Sequence, residues 1–441
     1  MLIFSIIMSF LVDTTLPVVF FVSIPILAGT LIVVARLAFP IFRRLFKRYD
    51  ALNASVEENI KGMRVVKAYA KEQHETEKFT RVSNELGREF TKAERILALN
   101  GPVMQLCMYG ALIAVVGIGA HLILHENTGL LYTDLQSLIM YSFQILMSLM
   151  MLSMIFVMVI MSMESGRRIA EVLEEKSDLS NPAEPKTEVK DGSVKFENVS
   201  FRYSEKAENF ALDKINLEIA SGETVGILGG TGSSKTTLVN LISRLYDVTE
   251  GAIYVGGADV KEYDLEVLRK NVAVVLQKNT LFSGTIKENM RWGDPNATDE
   301  KIINACKLAQ ADEFIVQFPD KYDTMIEQGG TNVSGGQRQR LCIARALMTS
   351  PKILILDDST SAVDMKTDAK LRKAFSESIP DITKIIIAQR VASVKDADKI
   401  VVMDNGQIHA VGKHDELLAT DPIYQEVYYS QNKQTDKGGN D

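Results

Sequence analysis

Hydrophobic patterning changes character partway along the chain. Up to about Met163 it is dominated by long apolar runs; beyond that, short apolar stretches alternate with polar and charged ones as in a mixed globular domain. Leu16 to Ala35 carries no charged residue and is long enough to cross a bilayer as a helix, which takes roughly 20 residues. Pro102 to Leu124 and Leu135 to Met163 predict two further spans. Met1 to Val12 is apolar but too short to cross, so it is expected to be the end of a helix whose beginning is absent. It lacks the basic start of a cleaved signal peptide. Arg36, Arg43, Arg44, Lys47 and Arg48 follow the first span, Arg95 precedes the second, and Arg167 and Arg168 follow the third. The loop His121 to Asp134 has neither Lys nor Arg. By the positive-inside rule that loop faces outside and the rest faces the cytosol.

Residues 38–97, between the first two full spans, are predicted to form a cytosolic helical hairpin. Val56, Ile60 and Met63 share one helical face, Phe79, Val82, Leu86 and Phe90 another, and the break falls near Lys67 to Gln73. Such a hairpin is either a solvated coil or a mechanical contact to a cytosolic domain; its apolar faces favour the contact. The third span is rich in methionine (Met140, Met147, Met150, Met151, Met154, Met158, Met161, Met163). Flexible, polarisable side chains suit a surface that accommodates varied apolar ligands, and equally suit lipid-facing or packing sequence. Gln144, with Ser142 and Ser148 nearby, points to a face lining a cavity.

These features define a transmembrane domain over residues 1–163 and a charged, proline-containing linker over 164–192. A globular domain follows over 193–430, with a polar tail over 431–441. In the globular part Val194 to Tyr203 alternates like a strand. The run Thr224 to Leu228 reads as another. It leads through Gly229, Gly230, Thr231, Gly232, Ser233 and Ser234 into Lys235, Thr236, Thr237 and a helical pattern of Leu238, Leu241, Ile242 and Leu245. Strand, glycine-rich turn, Lys-Thr and helix is the build of a phosphate-binding loop. Backbone N–H groups close around phosphate oxygens, the lysine reaches the β- and γ-phosphates, and the Thr236 hydroxyl ligates Mg²⁺. The strict pattern G-x-x-x-x-G-K-S/T fails, because Ser234 stands where the second glycine belongs. Downstream, Val333-Ser334-Gly335-Gly336-Gln337 opens a helical run, a second candidate anion site. Ile353 to Leu356 is an apolar strand ending in Asp357 and Asp358, where a carboxylate is placed to hold the Mg²⁺ of a bound nucleotide. A formal charge of −7 argues against a general nucleic-acid binder. Three cysteines, widely spaced, offer neither a disulfide framework nor a metal cluster, and suit a reduced, cytosolic setting.

Together, the loop Gly229 to Thr236, Gln277, Val333 to Gln337, Ile353 to Asp358 and Ser361 to Asp364 resemble the nucleotide-binding domain of ABC transporters. The preceding region resembles the transmembrane domain of an ABC exporter fused to it. The resemblance implies an all-α transmembrane domain, here partial, followed by an α/β P-loop domain with an α-helical signature subdomain beginning at Phe282 to Asn289. It implies ATP and Mg²⁺ as cofactors, with Thr236, Gln277 and Asp357 around the metal and Tyr203 stacked on adenine. Gln277 would couple to the membrane, and Asp364 would communicate across a dimer. In that head-to-tail dimer Ser334, Gly335, Gly336 and Gln337 complete the partner's site. The break at Lys67 to Gln73 matches a coupling helix that docks on the partner. Family half-transporters have six transmembrane helices; this chain has about three and a remnant, so it is a fragment or uses a late start.

Three positions depart from the family pattern. Asp358 stands for the catalytic glutamate and is one methylene short; a misplacement on the order of 1 Å can cost about a hundredfold in rate. Gln389 replaces the switch histidine that contacts the γ-phosphate; it can hydrogen-bond but cannot carry positive charge at neutral pH. Ser234 replaces the loop glycine. This combination resembles the hydrolysis-impaired subunit of heterodimeric multidrug exporters. The expected partners are therefore a second half-transporter (in a heterodimer or a homodimer), membrane lipid and a small-molecule substrate, without nucleic acid. Competing readings are a soluble ABC-type ATPase for DNA repair or translation, which the apolar spans oppose, a truncated regulatory or inert nucleotide-binding protein, and a lipid or peptide exporter subunit.

Overall fold

The computed structural model describes residues 1–125, 131–358 and 364–437. It divides into two units, Met1–Lys176 and Ser177–Asp441. The first is all helical: α1 (Leu2–Val12), α2 (Val18–Ala68), α3 (Glu72–Ala98), α4 (Asn100–His125) and α5 (Tyr132–Glu174). At 1.5 Å per residue the 51 residues of α2 run roughly 75 Å, more than twice the hydrocarbon thickness of a bilayer. Among the described residues three helical stretches are long and apolar enough to cross: Val18–Ala68, Glu72–Leu124 and Tyr132–Phe156. Pro25 and Pro40 lie inside α2, as membrane helices tolerate.

Leu16, Phe20 and Leu27 pack against Met104 and Val115 of α4 and Leu135, Leu138, Ile145 and Leu149 of α5. Below them Ala38, Ile41, Phe42 and Leu45 of α2 meet Ala93, Leu86, Ile96 and Leu97 of α3. Ion pairs Arg48–Glu85 and Lys78–Glu58 also bridge the hairpin. Its turn is Tyr69 to Lys71, inside the expected interval. Val56, Ile60, Met63 and Phe90 stay exposed within this unit.

Gln144 accepts a hydrogen bond from Ser5 Oγ at 2.9 Å, and buried Ser142 donates to Leu138 O at 2.6 Å. These polar groups bind α1 and their own helix. α5 continues to Glu174, where exposed pairs such as Arg167–Glu171 at i and i+4 support a solvated helix. The rest of the expected linker is fastened to the second unit. Lys186 exchanges backbone hydrogen bonds of 2.8 and 3.0 Å with Glu262 and Asp264, and Val189 is buried in the core.

In the second unit β1 (Val194–Phe201), β2 (Leu212–Ile219), β4 (Glu250–Val255) and β5 (Ala258–Asp259) form an antiparallel sheet in the order β2-β1-β4-β5. The central sheet is built from β3 (Thr224–Gly229), β6 (Val272–Val275), β9 (Ile353–Asp357), β10 (Thr383–Ile387), β11 (Lys399–Asp404) and β12 (Gln407–Gly412). Its order is β12-β11-β3-β10-β9-β6, parallel except for the edge strand β12. Parallel strands are covered on both faces, which is why β9 and β10 are buried along their whole length. Ile387 of β10 lies level with both Asp357 of β9 and Ile227 of β3, so the strand tips share one edge.

Helices α6 (Lys235–Ile242) and α7 (Leu265–Asn271) accompany this sheet. A helical subdomain follows: α8 (Ile286–Arg291), α9 (Asp299–Leu308), α10 (Asp312–Ile315) and α11 (Gly335–Leu347), with the short ribbon β7 (Gly284–Thr285) and β8 (Met325–Ile326). Ile286, Met290, Ile302, Phe314 and Leu341 are among the side chains that tie it to the core. The chain continues through α12 (Met365–Ser378), α13 (His414–Thr420) and α14 (Pro422–Lys437). The first residues of the expected polar tail, through Lys437, are helical as the end of α14. Burial pushes the Cys306 thiol up to about 12 and the Cys342 thiol upward, so both are packing groups rather than reactive ones.

Candidate functional site

The parallel strands deliver their C-terminal ends to one edge, and the polar side chains gather there. β3 ends at Gly229, and the loop turns into α6 with Ser234 at φ 67° and ψ 24°. That is the left-handed region, where a side chain is strained and glycine is not. Ser233 Oγ donates to Gly230 O at 2.9 Å, bracing the loop. The half-buried Lys235 ammonium donates to Gly229 O at 2.9 Å, Gly230 O at 2.7 Å and Ser233 Oγ at 3.1 Å. Burial pulls its pKa down, against the opposing pull of Asp357 and Asp358. A cation held by neutral carbonyls at the loop mouth is ready to exchange them for anionic oxygens.

Thr236 Oγ1 donates to Asp357 Oδ2 at 2.8 Å. Asp357 is 2% exposed, and burial pushes its carboxyl above the ordinary carboxylate range despite the Thr236 bond. A divalent cation beside this hydroxyl and carboxylate would relieve that cost, and hard oxygen donors are what Mg²⁺ takes. Among the described residues no group of three or more His, Cys, Asp or Glu could hold a metal, so such an ion would draw also on neutral oxygens such as Thr236 Oγ1 and on its ligand.

Asp358 lies beside it, with backbone φ 46° and its N–H donating to Ile387 O at 3.0 Å. Its Oδ2 accepts from Gln389 Nε2 at 2.8 Å and Gln277 Nε2 at 3.4 Å. Burial is the largest influence on its pKa and raises it; the two amides pull the other way. Five of the residues singled out from sequence thus bond in two neighbouring sets, Thr236 with Asp357 and Asp358 with Gln277 and Gln389.

Tyr203 OH and Thr237 Oγ1 are 2.9 Å apart, so the buried Thr237 side chain turns to the tyrosine and not to the loop. The Tyr203 ring is held edge-on by Phe201 and Tyr246, with centroids at 4.9 and 5.2 Å, and is 57% exposed. A ring fixed at its edges and open to solvent is suited to stacking. Ser334 caps α11: its Oγ accepts from Gln337 N–H at 3.3 Å, and its own N–H donates to Gln337 Oε1 at 2.9 Å. This capping box leaves Gly335 and Gly336 as the first helical residues. Among the described residues, Ser334 to Gln337 make no hydrogen bond to the phosphate loop. Asp364 caps α12 by accepting from Thr367 N–H at 2.9 Å, which holds its pKa low; Ser361 to Val363 lie outside the described residues.

Sequence reasoning missed Tyr246, Trp292 and Gln431, and took Phe282 only as the start of the helical subdomain. Tyr246 braces Tyr203. Phe282 and Trp292 stack face to face, centroids 4.0 Å apart, on a groove of about 430 Å³ also lined by Leu276 and Arg345. Gln431 clasps the chain after Gln389. Tyr246, Trp292 and Gln431 sit in no motif; only their neighbours give them meaning.

A helical membrane unit joined to a parallel α/β domain with this strand-tip site defines an ATP-driven membrane transporter. The chain belongs to the ABC transporter family. The model of the ABC transporter transmembrane region matches residues 1–150, and that of the ABC transporter domain residues 212–361. It is 37% identical, over 97% of its length and 74% of the relative's, to the uncharacterized ABC transporter ATP-binding protein YfiB of Bacillus subtilis (strain 168). It is 36% identical to the ATP-dependent lipid A-core flippase of Haemophilus influenzae (strain 86-028NP), over 94% of this chain and 70% of that protein. The structure of a bacterial Atm1-family ABC exporter with ATP bound superposes with a TM-score of 0.90 at 25% identity, covering 97% of this chain and 75% of the other. The chain is an exporter half-transporter that binds ATP and couples its hydrolysis to transport. It is embedded in the membrane with its ATPase domain in the cytoplasm.

Proposed function

We propose that this subunit retains ATP at its own phosphate loop, hydrolyses it slowly, and supplies Ser334 to Gln337 to a competent site on a different half-transporter. The observation that carries this reading is the state of Asp358. The Asp358 carboxylate, in the place of the base, is short, and its Oδ2 already accepts the Gln389 amide at 2.8 Å. Bonds donated to this carboxylate oppose the rise that burial gives its pKa, and among the described residues an uncharged amide, Gln389, stands at the switch position. The binding parts are complete: Lys235 for the phosphates, the loop amides, and the exposed Tyr203 ring for the base. Mg²⁺ held by Thr236 and Asp357, with Gln277 beside them, would neutralise phosphate charge. In a head-to-tail pair, the Gly335 and Gly336 amides at the start of α11 would face the partner's nucleotide, where the helix dipole stabilises developing negative charge.

The stacked Phe282–Trp292 groove is a fitting receiver for the partner's cytosolic turn, the counterpart of Tyr69 to Lys71. Amphipathic compounds, drugs among them, are the substrate class we favour. The methionines Met140, Met147, Met151, Met154 and Met158 share one face of α5 and are exposed, and a relative bears the name of a lipid A-core flippase.

The test compares heterodimers carrying Ser334→Ala, Gly336→Asp or Asp358→Ala in this chain. The first two should remove most ATPase activity and transport, and the third comparatively little. Equal damage from Asp358→Ala would replace the asymmetric pair with a conventional symmetric one.

A further inference from the structure

The last described helix makes a specific connection to the site. α14 is anchored near its start by Tyr424, which is buried in the core; its phenol lies 2.7 Å from His414 Nδ1, and its N–H donates to Asp421 Oδ1 at 2.7 Å. About two turns later Gln431 reaches the segment that leaves β10. Its Nε2 donates to Gln389 O at 2.8 Å, and its Oε1 accepts from Val391 N–H at 3.0 Å. One carboxamide therefore pairs with the carbonyl of one residue and the amide of the residue two further on, as a neighbouring strand would. The sheet's own hold on this segment reaches Ala388, whose N–H donates to Ile227 O at 3.2 Å. Gln431 extends that hold by one more step. The Gln389 side chain projects from this clasped backbone onto Asp358.

We propose that Gln431 is a positioning residue for the nucleotide site: it fixes the backbone at Gln389 and thereby the amide that meets the γ-phosphate. The inference rests on the reading of Gln389 as the γ-phosphate contact. It makes the C-terminal helix part of ATP retention and gives it a signature that simple destabilisation lacks. ADP has no γ-phosphate, so the clasp distinguishes the two nucleotides.

The experiment uses the full chain in lipid nanodiscs, with Mg²⁺ and the fluorescent probes mant-ATP and mant-ADP, and measures dissociation rates. Gln431→Ala removes two neutral hydrogen bonds, so mant-ATP should leave about five- to tenfold faster, while mant-ADP changes less than about twofold. Gln431→Glu keeps the acceptor for Val391 but sets an oxygen against Gln389 O; it should behave like the alanine variant, and it carries the test if that variant misfolds. Gln389→Ala should show the same ATP-selective loss, and adding Gln431→Ala to it should change nothing more. An equal effect of Gln431→Ala on both nucleotides, or none, beside an ATP-selective Gln389→Ala overturns the clasp and leaves the reading of Gln389 standing. If Gln389→Ala is itself not ATP-selective, that reading fails and the clasp falls with it.

Discussion

Ser234 is a small change with a definite cost. At φ 67° its side chain meets the crowding that makes left-handed backbone unfavourable by about 1–2 kcal/mol for a residue with a Cβ. Ser234→Gly removes that strain but adds freedom to the unfolded chain, worth roughly 0.4–1 kcal/mol. The net expectation is stabilisation by about 0.5–1 kcal/mol, read as a small rise in the thermal midpoint of the cytosolic unit. Hydrolysis should stay slow, because the backbone already holds the turn and the deficiency lies at Asp358 and Gln389. Single-site turnover, measured with the partner's own base disabled, decides the matter. A restored rate in Ser234→Gly would make the serine, rather than the carboxylate, the limit.

Among the elements, the helical subdomain carries the clearest unmet surface. Trp292 is 64% exposed although it stacks on Phe282, and large aromatics left in solvent beside a groove mark interaction sites. Trp292→Ala loses a stacking contact of about 0.5–1.5 kcal/mol, too little to unfold the domain. Nucleotide affinity should therefore hold within about twofold, because the phosphate loop lies on another element. If the groove receives the partner's turn, substrate-stimulated ATPase activity should fall by at least about tenfold while basal binding persists. Unchanged stimulation would remove the groove from the coupling route.

At the scale of the whole molecule, the two units have different solvents. The membrane unit leaves apolar side chains on its surface, whereas the second unit, Ser177–Asp441, has a parallel sheet covered on both faces by its own clusters. The second unit expressed alone is expected to be soluble, to unfold cooperatively and to bind mant-ATP. Aggregation, or nucleotide binding only in the full chain, would show that its core depends on the membrane unit. The chain spans about three quarters of the relatives it matches most fully.

Much of this was legible before any coordinates. Uncharged runs of bilayer length force helices, because backbone groups in lipid must bond within their own segment. The order of loop, signature and double aspartate after Lys235 could be read even with a serine in the loop, since those chemistries need particular residue types at particular chain ends. Tertiary structure decided the rest. Periodicity gives Gln144 a face but not the Ser5 hydroxyl opposite it. Charge along 164–174 does not say helix or loop, and paired charges keep a solvated helix intact there. The partner of Gln431 was not legible, because a carboxamide has none until folding supplies one, here more than forty positions away at Gln389. Local pattern determines which elements form; which polar groups meet depends on neighbours that only the packed sheet and helices bring together.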